Sequence, residues 1–163
     1  MYDAGIDPLQ YMDGIIPECF LFEHIFFPES FTKIPNNIKS IYEQAFSGCT
    51  FDRNFPVIIP LTCLEIREYA FAATTIHKIE LNCINTCNIW GRAFDDAEIK
   101  EMWLNELPIN ANFLHYVDEI KYLYLPIDDA EKFDEWINNI DDIPTGKIKN
   151  IISSLTGEVF FQE

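Results

Sequence analysis

The chain has 163 residues, of which 48% are hydrophobic and 15% aromatic, enough apolar surface to offset the entropy of ordering and to exclude an intrinsically disordered chain. Against 11 basic side chains stand 27 acidic ones, a formal charge of −16; that field repels nucleic acid and anionic membranes, so direct binding to either is not expected. No apolar run approaches the roughly 20 residues that span a bilayer, and five cysteines, an odd number scattered among apolar neighbours, read as small buried hydrophobes of a reducing compartment rather than as a disulfide framework.

Residues 1–8 have neither a basic start nor a long apolar core of the kind that directs secretion, and a cytoplasmic protein is expected. Asp13-Gly14 marks a turn ahead of Ile15, Ile16 and Pro17. Residues 19–27 (CFLFEHIFF) are nearly all apolar and are closed by Pro28, so they read as one or two buried strands, with His24 as a core histidine. Together residues 1–33 are expected to cap one end of a core.

From residue 34 one phrase recurs. Ile41 precedes Ala45-Phe46, Ile66 precedes Ala70-Phe71 and Ile89 precedes Ala93-Phe94, at offsets of 25 and 23 residues. A period of this length marks stacked structural units, none of which buries its apolar face alone. The first copy also carries Ile34-Pro35 before it and Ser47-Gly48-Cys49-Thr50 after it, then an apolar strand over 57–60; the second keeps Ile59-Pro60 but has Ala72-Ala73-Thr74 where the first has Ser47-Gly48-Cys49. These residues resemble the BspA-type leucine-rich repeat, and the resemblance covers about residues 34 to 125. It implies a right-handed solenoid with one short strand per repeat. The chain departs from the family pattern directly after each Ile, where Tyr42, Arg67 and Trp90 stand in place of Gly.

The strands that follow the phrases are Ile76 to Leu81, Ile99 to Leu104 and Ile120 to Leu125. Period two places Ile79, Leu81, Met102 and Leu104 inward, and it places Lys78, Glu80, Glu101, Trp103, Tyr122 and Tyr124 outward. The fourth phrase, Phe113-Leu114-His115-Tyr116, has lost its Ala-Phe pair. Beyond 125 the repeat stops. Asp128 or Asp129 can cap a helix whose Phe133, Trp136, Ile137 and Ile140 fall on one face, and strands over 148–152 and 159–161 flank Thr156-Gly157 as a hairpin. The expected architecture is thus a single domain, 1–163, in which a leucine-rich-repeat solenoid (34–125) lies between an N-terminal cap (1–33) and a C-terminal cap of helix and β-hairpin (126–163).

Catalytic motifs of the nucleophile-elbow, zincin and phosphate-loop types are missing from the sequence, which has only 6 Gly. Cys83 and Cys87 make one pair, and zinc would need two more ligands from elsewhere. Residues 128–142 hold seven acids but lack the glycine and ligand order of a calcium loop. No cofactor, no metal and no enzymatic activity are expected.

Two functions from different classes fit these residues. In the first, a protein-binding module presents the aromatic side chains Trp103, Tyr122 and Tyr124, rimmed by Glu80 and Glu101, together with the acids Asp128, Asp129, Glu131, Asp134 and Glu135, to a partner with a basic surface. Whether the strand face is displayed or lies under Phe133 and Trp136 of the helix, or under the N-terminal segment, is open at this level. In the second, the acidity itself works: an inhibitor mimics nucleic acid and blocks a DNA- or RNA-binding enzyme, as a phage-encoded anti-defence protein would. The acidity is uneven, with 11 acids and 6 bases in residues 1–94 against 16 acids and 5 bases in residues 95–163.

Overall fold

The computed structural model describes residues 15–16, 34, 36–51, 53, 56–140 and 143–163. The strands expected over 19–27, His24 and Cys19 lie outside them. In chain order the elements are β1 (Ile15–Ile16), β2 (Ser40–Ile41), β3 (Thr50–Phe51), β4 (Val57–Ile59), β5 (Glu65–Ile66), β6 (Thr75–Leu81), β7 (Asn88–Ile89), β8 (Glu98–Leu104), β9 (Glu119–Leu125), α1 (Ala130–Asn139), β10 (Asn150–Ser153) and β11 (Val159–Gln162). They wind into a β-solenoid of about four turns with one helix near the C-terminus and strands after it.

Two sheets form its walls. The short strands β1, β2, β5 and β7 pair in parallel in that order, at the repeat offset, so the ladder reaches back before residue 34. The opposite wall is a seven-stranded sheet in which β6, β8, β9 and β10 run parallel and β11 closes the edge antiparallel to β10. The expected hairpin is present, and its first strand also extends the parallel ladder: Ile151 lies beside Leu123 and Ile152 beside Tyr124.

Each turn of the coil is fastened to the next by its backbone at the Ala-Phe phrase. Phe46 N–H donates to Ala70 O at 2.7 Å, and Phe71 N–H to Ala93 O at 2.8 Å. Two residues later the chain enters the left-handed region, at Gly48 (φ 70°), Ala73 (φ 51°) and Asp96 (φ 54°). That turn aims one more N–H along the coil: Gly48 donates to Ala72 O, Ala73 to Asp95 O and Asp96 to Tyr116 O, each at 2.8 Å. The second copy therefore keeps the backbone of the first although it lacks the glycine. Inside, Phe46, Phe71 and Phe94 are fully buried and stack at 5.1 and 5.2 Å with interplanar angles of 20° and 12°. The stack ends where the phrase degrades, since Phe113 meets Phe94 at 6.4 Å and 58°.

The long strands are not straight period-two ribbons. Ile76, Ile79 and Leu81 are all buried, as are Ile99, Met102 and Leu104, and Ile120, Leu123 and Leu125. Two residues separate the first inward position from the second, so each strand bends between them, at His77-Lys78, Lys100-Glu101 and Lys121-Tyr122. One turn earlier the same path is cut into two pieces: β3 pairs with the first arm of β6 and β4 with the second.

At the other end α1 closes the solenoid. Asp129 is its N-cap, with Oδ1 accepting from Lys132 N at 2.8 Å. Phe133, Trp136 and Ile140 join the core cluster, Phe133 stacks on Phe160 of β11 at 4.9 Å and 8°, and the Trp136 indole N–H donates to Pro108 O at 3.3 Å.

Candidate protein-binding face

The ladder register decides which side chains stand together on the outer face of the large sheet. Lys78, Glu101 and Tyr122 form one row, and Glu80, Trp103 and Tyr124 the next. β4 adds Ile58 beside Glu80; β10 adds Ile152 beside Tyr124, with Val159 of β11 opposite it. The helix spends Phe133 and Trp136 on the end of the core, while Trp103, Tyr122 and Tyr124 remain half-buried on the sheet.

Within this face Trp103 lies flat on Tyr124, ring centroids 3.9 Å apart and planes 10° from parallel. The Trp103 indole N–H donates to Glu101 Oε2 at 3.3 Å. Lys78 places its ammonium 4.7 Å from the centre of the Trp103 ring and 2.7 Å from Glu80 Oε1, so an aromatic face and a carboxylate share one cation. Burial, and then the Glu101 carboxylate, push the Tyr124 phenol above its ordinary range. A pocket of about 380 Å³ runs beside the row, between Lys78, Glu80 and Trp103 and the hairpin residues Ser154 and Leu155. Leu155 is 64% exposed.

The acidic residues of the C-terminal part sit elsewhere. Asp128, Asp129, Glu131, Asp134 and Glu135 are all exposed. Asp129 caps α1, and Asp128 pairs with Lys132 Nζ at 2.6 Å. That contact holds the Asp128 carboxyl below the usual range and raises the Lys132 ammonium. Among the described residues no hydrogen bond, ion pair or ring contact joins these acids to Trp103, Tyr122 or Tyr124, so the expected site divides into two patches. His77 and Lys100 meet at 3.3 Å at the strand corner, and they line, with Arg53, Lys121, Glu98 and Glu119, a pocket of about 660 Å³ of mixed charge.

One group of side chains was not expected from the sequence. Cys63 joins Cys83 and Cys87, all three sulfur atoms lying within 4.8 Å of one another. The Cys83 and Cys87 thiols act on Cys63 and pull it well below the ordinary thiol range, while the contact with Cys63 pushes Cys83 and Cys87 up. The signal available in the sequence was the interval from Cys63 to Cys87, which is 24 residues, one repeat.

Parallel walls at a repeat of 20-odd residues, an Ala-Phe ladder between them and one long strand per turn define a leucine-rich-repeat solenoid. The chain belongs to the BspA type leucine rich repeat family, whose pattern matches residues 18–139 in six copies, a span that takes in 34–125 and extends beyond it on both sides. Repeats of this family are generally non-enzymatic and serve as protein-interaction modules. No curated protein and no solved structure matches the chain. No helix among the described residues is long and apolar enough to cross a membrane.

Proposed function

We propose that this chain is a non-enzymatic binding module that takes a protein with a basic surface onto the strand face built by Glu80, Glu101, Trp103, Tyr122 and Tyr124. The observation that carries this is the seat of Lys78, whose ammonium rests on the Trp103 ring while paired with Glu80. A Lys or Arg of a partner that displaces Lys78 from this seat meets the same chemistry there, an aromatic ring and carboxylates on a rigid ladder. Leu155 and the pocket beside it offer an apolar anchor at the rim. Proteins recovered with the wild-type chain from its own cell would be compared with those recovered by Trp103→Ala. A partner that uses this face is lost at least about thirtyfold, the effect of a hot-spot residue worth about 2 kcal/mol. Equal recovery by the variant removes the face from consideration.

The acids on and before α1 support a second mode, in which Glu131, Asp134 and Glu135, exposed on the helix, present charge to a nucleic-acid-binding enzyme, as a phage-encoded inhibitor would. Ionic strength separates the two modes. Binding through the helix acids falls steeply between low and physiological salt, whereas an aromatic-centred contact loses less.

A further inference from the structure

The cysteine cluster is a product of the solenoid's pitch. Cys63 lies in the turn after β4 and Cys87 in the turn after β6, so stacking of successive coils sets one above the other, with Cys87 Sγ 4.0 Å from Cys63 Sγ. Cys83 is folded onto this pair by a tight turn closed by the Cys87 N–H, which donates to Cys83 O at 2.8 Å. Cys63 and Cys83 are buried; Cys87 is half-buried beside a pocket of about 190 Å³ lined in part by Ile84, Ile89 and Phe113. Among the described residues no histidine or carboxylate joins the group. Among the described residues the gathered donors are therefore three sulfurs.

Three thiolates around one ion at a metal–sulfur length of about 2.3 Å stand about 4.0 Å apart when coplanar with it and about 3.8 Å apart in a tetrahedron. The observed spacing of 4.0 Å between Cys63 and Cys87, with all three within 4.8 Å, needs only sub-ångström to ångström closure. A disulfide between the same two sulfurs would need them to approach by about 2 Å. Thiolate donors select soft ions. Zn²⁺ in a closed site takes four ligands of the Cys, His, Asp or Glu type; among the described residues three are gathered here, and the pocket wall beside Cys87 adds only the amides of Asn85, Asn88 and Asn110.

We propose that Cys63, Cys83 and Cys87 form an all-sulfur, three-coordinate site for Cu(I), reached through the pocket beside Cys87. Loading exchanges thiol protons for the ion: the S–H bonds break, sulfur–copper bonds form, the protons leave to solvent, and no electron is transferred. Because the ligands come from two successive coils, the bound ion ties one turn of the solenoid to the next.

The full reduced chain, titrated anaerobically with Cu(I) held by the competing chelator bicinchoninate, should withdraw one equivalent of copper per chain and release protons to an unbuffered solution. X-ray absorption of the loaded protein should give three sulfur neighbours and no nitrogen or oxygen. Cys63→Ser, Cys83→Ser and Cys87→Ser should each weaken copper binding at least about a hundredfold, the size of loss that follows removal of one first ligand or its support, while Cys49→Ser leaves it unchanged. If the two fully buried positions do not tolerate serine, Cys87→Ser carries the comparison, and the rise in Tm on adding copper to the wild type should vanish in it. The proposal is overturned if no copper leaves the chelator, if Cys87→Ser binds as the wild type does, or if Zn²⁺ displaces Cu(I) and is held with a fourth, non-sulfur ligand.

Discussion

Two aromatic stacks run through this molecule at the repeat interval, and their surroundings give them opposite work. Phe46, Phe71 and Phe94 stand in register behind the Ala-Phe phrase, wholly enclosed. Trp103 and Tyr124 stand in register on the outer face of the large sheet, closer together at 3.9 Å, yet incompletely buried, with Trp103 in contact with Lys78 and Glu101. The inner stack converts burial into stability. The outer one gains less from burial and keeps polar contacts at its edge.

The sharpest way to break that contrast is to remove one ring from each. Phe71→Ala opens a cavity between two stacked neighbours in a site with no solvent exposure, and it should cost about 3–5 kcal/mol, read as a large fall in the urea midpoint. Trp103→Ala leaves the core intact and forfeits one aromatic pair, worth about 0.5–1.5 kcal/mol beyond the ring's partial burial, so it should cost less than Phe71→Ala while partner recovery collapses. Similar losses of stability from the two variants would mean that the outer pair is part of the core and that the face is not displayed.

A smaller effect tests whether the acids near α1 are structural. Asp129→Ala removes the side-chain acceptor of the Lys132 N–H and should cost about 1 kcal/mol of stability. Asp128 acts by charge instead. The Lys132 ammonium depresses its folded-state pKa below the ordinary 3.8, so the contact's contribution is fully present above that value and is lost as pH falls through the depressed one. For Lys132 the raised pKa works the other way: its share is complete below 10.5 and disappears as pH rises beyond the folded value. Asp128→Asn should therefore differ from the wild type between these limits and converge with it in acid, in chemical denaturation followed across pH. A difference that persists in strong acid would assign the effect to packing.

What could be read from the residues followed from how often each signal repeats. Three copies of Ile-x-x-x-Ala-Phe were enough to give the solenoid, and the outward order of Glu80, Trp103 and Tyr124 follows once the terminal Leu of each strand is aligned. Period two does not reach Ile76, Ile99 or Ile120, because the strand bends by two residues at His77, Lys100 and Lys121 and turns an outward position inward. The parallel pairing of β10 with β9 was hidden for a related reason: α1 replaces the short-strand wall of that turn, so no phrase announces it. Cys63 and Lys78 show the limit for sites. Each acquires its partners from a neighbouring coil, Cys63 from Cys87 and Lys78 from Trp103, and such contacts appear only when the repeats are laid over one another residue by residue.

The least disruptive test concerns the turn that follows the Ala-Phe phrase, where three copies place Gly48, Ala73 and Asp96 at the same positive φ. The backbone is obliged to adopt it, since each N–H there reaches the next coil at 2.8 Å. An L-residue with a Cβ pays about 1–2 kcal/mol for the left-handed conformation, and glycine avoids that while losing about 0.5–1 kcal/mol more entropy on folding. Ala73 is exposed, so little burial is forfeited with its methyl. Ala73→Gly should therefore stabilise the chain by about 0.5–1 kcal/mol, visible as a higher urea midpoint at unchanged slope. Asp96→Gly should gain less, because aspartate tolerates this region better than alanine does. If Ala73→Gly instead destabilises, the left-handed turn is held by more than its inter-coil hydrogen bond, and the second repeat is tighter than its departure from the Ser-Gly-Cys pattern implies.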